Sequence, residues 1–190
     1  LKLETQPKHI ECFDNSNLNG TNPTSACVVF NNAKPNKKAY RHFNIKKVNG
    51  IDDYAMMQEA IYRRYSRLLN EGNPLPELII IDGGKGQLSS ALDVLNKLKL
   101  ENKISLIGIA KRLEEIYFPN DPIPLYLDKR SETLKLIQQL RNEAHRFSLR
   151  HHRNRRGKNL ITNELESIKG IGQKTILNLL RYFKSNKAIS

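Results

Sequence analysis

Two short apolar runs, each delivering an aspartate at or near its end, constrain the fold of this chain more than any other feature. The first is Ile10-Glu11-Cys12-Phe13-Asp14-Asn15-Ser16-Asn17, and the second is Leu78-Ile79-Ile80-Ile81-Asp82-Gly83-Gly84-Lys85. Both read as strands. The chain carries 32 Lys and Arg against 19 Asp and Glu, a formal +13, so carboxylates at the ends of its most apolar segments need a reason. Two carboxylates held a few ångströms apart repel, and both stay ionised only with a cation between them. A hard divalent ion such as Mg²⁺ or Mn²⁺ removes that penalty, because it prefers oxygen ligands and keeps waters for a substrate phosphate. The basic surroundings then suit a polyanion, nucleic acid before anionic membrane.

Several classes drop out. No apolar run approaches the roughly 18 residues that span a bilayer, and no signal-like segment opens the chain, so a cytoplasmic protein without a membrane partner is expected. The two cysteines, Cys12 and Cys27, lie in apolar runs with no C-x-x-C spacing, which makes them core residues in a reducing compartment rather than zinc ligands. Lys85 follows two glycines at a helix start but belongs to no Walker A pattern, so nucleotide binding is unsupported. With 190 residues the chain can hold one ordinary core and a small appendage. Beginning at Leu1 rather than Met, it is readable as a fragment of something longer.

Strands are expected at 9–16, 25–30 and 40–46, as an antiparallel meander, then at 78–82 and 104–110. Asp52 and Asp53 open a helix with Tyr54, Met57, Ile61, Tyr65 and Leu68 at helical period, ending near Gly72. A second helix after Gly84 puts Leu88, Ala91, Leu95 and Leu98 on one face. Tyr117-Phe118 and Leu125-Tyr126-Leu127 suggest a surface hairpin, and a long helix over 131–156 turns Leu134, Ile137, Leu140, Ala144 and Phe147 inward. This order matches a ribonuclease-H-like α/β fold: a mixed five-stranded sheet flanked by helices, in which the first and fourth strands are neighbours. Residues 1–157 would form that domain. Residues 158–190 form a small all-α unit of short helix, Gly170-Ile171-Gly172 turn and second helix.

Each singled-out residue also has a plainer role. Aspartate before Asn or Gly is a common turn or cap device, but Asp14 and Asp82 on adjacent strands in a chain of this charge favour a shared ion. His145 lies on a stripe with Arg141, Ser148 and His152 that borders the core; it can move a proton, ligate the ion, or be one more basic residue. Asp52 and Asp53 most simply cap their helix. The run Arg146, Arg150, Arg153, Arg155, Arg156 and Lys158 is dense enough to favour phosphate contact over a merely solvated face. Lys85 at a helix start, and the Gly170/Gly172 turn with Lys169 and Lys174 beside it, are further phosphate-contact candidates, as are Lys111 and Arg141.

The blocks FDNSNLNGT, DDYAMM with RRYSRL, LIIIDGGKGQL, IGIAKR, RNEAHRFSLRHHR and SIKGIGQKT, in that order, resemble the carboxy-terminal half of the UvrC excinuclease family of bacterial nucleotide excision repair. The resemblance implies a ribonuclease-H-like endonuclease domain followed by helix-hairpin-helix DNA binding. It implies incision of damaged double-stranded DNA on the 5′ side of a lesion located by UvrA and UvrB. The family's Asp, Asp, His set falls on Asp14, Asp82 and His145, and Asp53 matches a further acidic position. Only the first of the family's two helix-hairpin-helix motifs is expected here, without the nuclease domain for the 3′ incision or the UvrB-binding segment. The alternatives are a nucleic-acid-binding module that keeps the fold without catalysis, and a nuclease acting on RNA or RNA–DNA hybrid.

Overall fold

The computed structural model of the chain describes residues 3, 6–18, 21–46, 52–110, 115–166, 172, 174–175, 178–179 and 182, with the side chains of 17–18, 21–22 and 151–166 outside that description. Strand β1 (His9–Leu18) pairs antiparallel with β2 (Thr21–Asn31), whose other edge takes both β3 (Lys34–Pro35) and β4 (Arg41–Asn44). On its far side β1 runs parallel to β5 (Leu78–Asp82), β5 parallel to β6 (Ser105–Ala110), and β6 antiparallel to β7 (Glu115–Tyr117). The meander of first, second and third expected strands is therefore present, and the fourth expected strand is β5, beside β1.

Among the described residues seven strands form the sheet, rather than the expected five. The additions, β3 with two residues and β7 with three, are too short to show alternation in sequence. Strand β7 takes up part of the expected surface hairpin, whose return arm touches it through a bridge between Ile116 and Leu125. Strands β1 and β2 outrun their apolar cores, so residues with the composition of a polar connection continue the ladder to Leu18 and from Thr21.

Both faces of the central strands are covered. Side chains at Ile10, Glu11, Cys12, Phe13 and Asp14 are all buried, as are those at Leu78 through Asp82. Partners in register point to the same side of a sheet. One face therefore carries Glu11, Phe13, Ile79 and Ile81, and the other Ile10, Cys12, Asp14, Leu78, Ile80 and Asp82.

Helix α1 (Asp53–Asn70) lies on the first face, where the Tyr65 ring meets Phe13 at 6.2 Å between centroids. Asp52 caps it by accepting from the Tyr54 and Ala55 amides at 3.1 and 3.0 Å. Gly72, at φ +63°, turns the chain out of α1 as Asn73 N–H closes on the Leu68 carbonyl at 2.9 Å. Tyr54, expected inward, is 56% exposed, its ring lying against Gly86 at the start of α2.

Helix α2 (Lys85–Lys97) buries Leu88, Ala91, Val94 and Leu95 on the same side of the sheet as α1. Its start presses on β6. A Cβ at Gly108 would lie 3.3 Å from the Gly83 carbonyl oxygen and 3.4 Å from Leu88. Gly108→Val should cost about 1–3 kcal/mol through overpacking, read as a lower urea midpoint with an unchanged slope.

Helix α3 (Glu132–Glu166) starts under a Ser131 hydroxyl that accepts from the Leu134 amide at 3.2 Å. Its Leu134, Ile137, Leu140 and Ala144 are buried on the face opposite α1, and Ile137 and Leu140 border a partly open cavity with Ile10, Leu78 and Ile80. The expected end near 156 is overrun, and the helix continues through Gly157 to Glu166. A single glycine costs a helix interior only about 1 kcal/mol, too little to end it. Packing divides the chain into a unit of Leu1–Leu149 and a unit of Arg150–Ser190. Much of the expected short helix, turn and second helix lies outside the described residues; 174–175, 178–179 and 182 are helical, and the Thr175 amide bonds the Gly172 carbonyl at 2.9 Å.

Candidate metal centre

The register of β1 with β5 pairs Asp14 directly with Asp82, on the face covered by α3. Adjacent strands run about 4.8 Å apart, so two carboxylates in register are held as neighbours by the backbone alone. Both are nearly sealed from solvent, at 1% and 4% exposure. Strand β5 ends at Asp82, where the Gly83 amide closes back on the Ile81 carbonyl at 2.9 Å while still donating to the Ile109 carbonyl of β6 at 3.1 Å.

His145 comes from α3, with Nδ1 3.5 Å from Asp14 Oδ2 and about half of its side chain exposed. Asp14, Asp82 and His145 each bring one ligand atom within 4.8 Å of the others. The three sequence candidates for a metal centre thus meet, entirely within the first unit. Two carboxylate oxygens and an imidazole nitrogen fit a divalent cation of hard to borderline character and leave coordination positions for water. Their separation is small enough for one ion to touch all three. Cys12, two residues before Asp14 on the same face, has its thiol pKa pushed well up, by burial first and then by the negative charges of Asp82 and Asp14. The Arg141 guanidinium, one helical turn before His145 on α3, opposes that shift.

Asp53 stands at the same end of the sheet but outside the cluster. It opens α1 on the opposite face, where its carbonyl accepts from Asn15 Nδ2 at 2.8 Å. With Asp52 and Tyr54 it lines a shallow hollow against Gly84, Gly86 and Gln87.

The basic candidates are scattered in role. Lys85 donates through Nζ to the Pro122 carbonyl at 2.9 Å and stands 5.0 Å from the Tyr117 ring centre, tying the β7 hairpin to α2. Arg146 makes a two-pronged pair with Glu143 at 2.7 Å on each arm, and Arg150 is exposed. Gly172 and Lys174 are exposed. Lys111, Lys169 and Gly170 lie outside the described residues, and Arg153, Arg155 and Arg156 fall on α3 where side chains are not described.

A second polar cluster escapes a reading of the sequence alone. Glu11, fully buried, accepts from Arg64 Nε at 3.2 Å and Nη2 at 2.5 Å and from the Tyr65 hydroxyl at 2.9 Å, with His9 Nε2 at 3.2 Å. Burial pushes its carboxyl pKa up, but the bonds to His9 and Arg64 and the Arg64 charge outweigh that and bring it to about 2. The available signal is a lone glutamate inside an apolar strand and an arginine in the apolar stripe of α1, since a buried charge needs a partner.

Residues 1–149 match the family model described as the UvrC RNAse H endonuclease domain. Among curated proteins the chain is similar to UvrABC system protein C of Christiangramia forsetii, with 66% identity over 189 residues, covering 100% of this chain and 32% of that protein. The same protein of Flavobacterium psychrophilum is 63% identical and that of Porphyromonas gingivalis 60%, again over 100% of this chain and 32% of the relative. The chain spans about a third of the length of these relatives. Among solved structures, Ciona intestinalis endonuclease V in complex with an inosine-containing 24mer DNA is 20% identical with a TM-score of 0.43, covering 74% of this chain and 58% of that one.

Proposed function

The chain belongs to the UvrC RNase H endonuclease domain family, and from that membership we propose that it is the metal-dependent nuclease domain that makes the 5′ incision of nucleotide excision repair. The observation that carries the reading is the convergence of Asp14, Asp82 and His145 on one point. These three residues would hold the ion, Mg²⁺ or Mn²⁺. Such an ion supplies Lewis-acid stabilisation of a phosphate in hydrolysis and a water of lowered pKa.

The protein's own contribution is placement. Burial of both aspartates against α3 fixes their carboxylates before substrate arrives. His145, half exposed at the rim, is open on its solvent side to take a proton from a water or to deliver one to the leaving oxygen. In the first unit Arg141, Arg146, Lys85 and Lys111 would meet backbone phosphates, and in the second unit Arg150, Arg153, Arg155 and Arg156 would do the same. Asp53, at the same end of the sheet, is a further acidic candidate for this incision. In the second unit Lys169, Gly170, Gly172 and Lys174 would grip the backbone of the duplex without reading its sequence, as a helix-hairpin-helix motif does.

The site would act in the cytoplasm on damaged double-stranded DNA handed over by UvrB after UvrA has located the lesion. No helix among the described residues is long and apolar enough to cross a membrane. The test uses the complete protein with UvrA, UvrB and a lesion-bearing duplex labelled on the damaged strand. Asp82→Asn should remove the cut on the 5′ side and leave the 3′ cut, with chelation of divalent ions removing both. A 5′ cut that survives Asp82→Asn refutes the assignment, and a variant-sensitive cut on RNA–DNA hybrid instead of lesion-bearing DNA redirects it.

A further inference from the structure

His145 reaches the acidic pair from a helix, while the pair itself is fixed by a strand ladder, so something must set the helix. Its own contact does not: 3.5 Å from Asp14 is beyond a good hydrogen bond, and half the imidazole side chain faces solvent. The answer lies on either side of it in α3.

Phe147, two residues on, stacks on His42 with ring centres 3.8 Å apart at 21° and meets the edge of Tyr40 at 5.1 Å. Glu143, two residues before, accepts from the Tyr40 hydroxyl at 3.2 Å and from both arms of Arg146. Tyr40 and His42 flank the start of β4, whose register runs His42–Ala26–Asp14–Asp82 across β4, β2, β1 and β5. The row that carries the two aspartates therefore also carries the ring on which α3 rests. Ala26, small and fully buried between them, leaves room for the helix to come down.

We propose that Tyr40, His42, Glu143 and Phe147 form a clamp that sets the rotation of α3 and so aims His145 at the Asp14–Asp82 pair. They are positioning residues, and the inference rests on the three-residue cluster being a cation site. A side chain on a helix reaches about 5–6 Å from the axis, so a roll of about 20° in α3 would carry the imidazole roughly 2 Å from its place. Displacements of about 1 Å already cost on the order of 10²-fold in well-aligned sites. The Phe147 ring resists that roll because it is held face and edge by two rings of the β4 arm.

The test titrates this chain with Mn²⁺ alone, followed by the spin resonance of the free ion, alongside thermal melting. Phe147→Leu, which keeps an apolar side chain but removes the ring, should weaken Mn²⁺ binding about tenfold, and Phe147→Tyr should restore it. In a His145→Ala background Phe147→Leu should change affinity less than twofold, since its effect travels through the imidazole. Equal weakening in both backgrounds, or unchanged affinity with a lowered melting temperature, overturns the clamp while leaving the cation site standing. Loss of the cation site itself looks different: Mn²⁺ binding that Asp14→Asn does not reduce removes that reading and the clamp with it.

Discussion

Asp14→Asn should lower strand cleavage by at least about 10²–10³-fold, the loss that follows removal of one preorganised electrostatic group, while DNA binding changes less than twofold. The side chain keeps its shape and its place in the ladder opposite Asp82, so neither the sheet nor the basic surface has cause to move. What goes is one negative charge from a pair held together by strand register and sealed under α3. The same substitution relieves repulsion in the ion-free protein. The variant should therefore melt no lower than the parent without divalent ions, and should gain less than the parent when Mn²⁺ is added, because only the folded parent binds it tightly. Cleavage of labelled duplex, band-shift titration and melting with and without Mn²⁺ read the three effects together. Cleavage near the parental rate would exclude Asp14 from the reaction; loss of cleavage with an equal loss of DNA binding would assign it a structural role.

That pair is legible in the sequence because its signal is local: an apolar run ending in aspartate can be read from a handful of residues, and Asp14 and Asp82 sit at matching places in two such runs. Their adjacency is not local. It comes from the order of elements, and it holds because β1 and β5 are parallel neighbours in register. His145 is visible in sequence only as a member of a stripe beside the core; what brings it to Asp14 is the seating of α3 on Tyr40 and His42, a contact that spans 103 residues between Tyr40 and Glu143. Tyr54 shows the opposite failure. Its spacing fits the apolar face of α1, yet it lies in the first turn, where its ring covers Gly86 instead. Gly157 misleads in a similar way, since its poor helix propensity is outweighed by the turns of α3 that precede it, and extending a formed helix is far easier than starting one. Glu11 stays hidden while its run is read for where it ends, and a charge in the middle of the run has meaning only once Arg64 is seen across the face.

Arg64→Ala should destabilise the fold by about 3–5 kcal/mol, the penalty for leaving a buried charge without its partner. Glu11 is fully buried between Val29 and Ile79 in the ladder, so its charge loses a directly bonded cationic partner that water does not match. The pair also predicts how stability should follow acid. Glu11 has its folded pKa lowered from 4.5 to about 2, so its contribution is fully present above about pH 4.5 and is lost as pH falls towards 2. A shift of that size corresponds to about 3 kcal/mol. In Arg64→Ala the upward push of burial on Glu11 is opposed by fewer groups, its folded pKa moves back up, and the loss of stability between about pH 5 and 3 should flatten. Glu11→Gln with Arg64→Met removes both charges and fills the space with a flexible apolar chain, which should recover most of what Arg64→Ala alone loses. Urea unfolding at about pH 7 and about pH 3.5 for the parent, the single variant and the double variant separates the two possibilities. If the double variant is as unstable as the single one, the cluster stabilises through shape and not through charge; if the single variant keeps the parent's acid slope, Arg64 is not what holds the Glu11 carboxyl down.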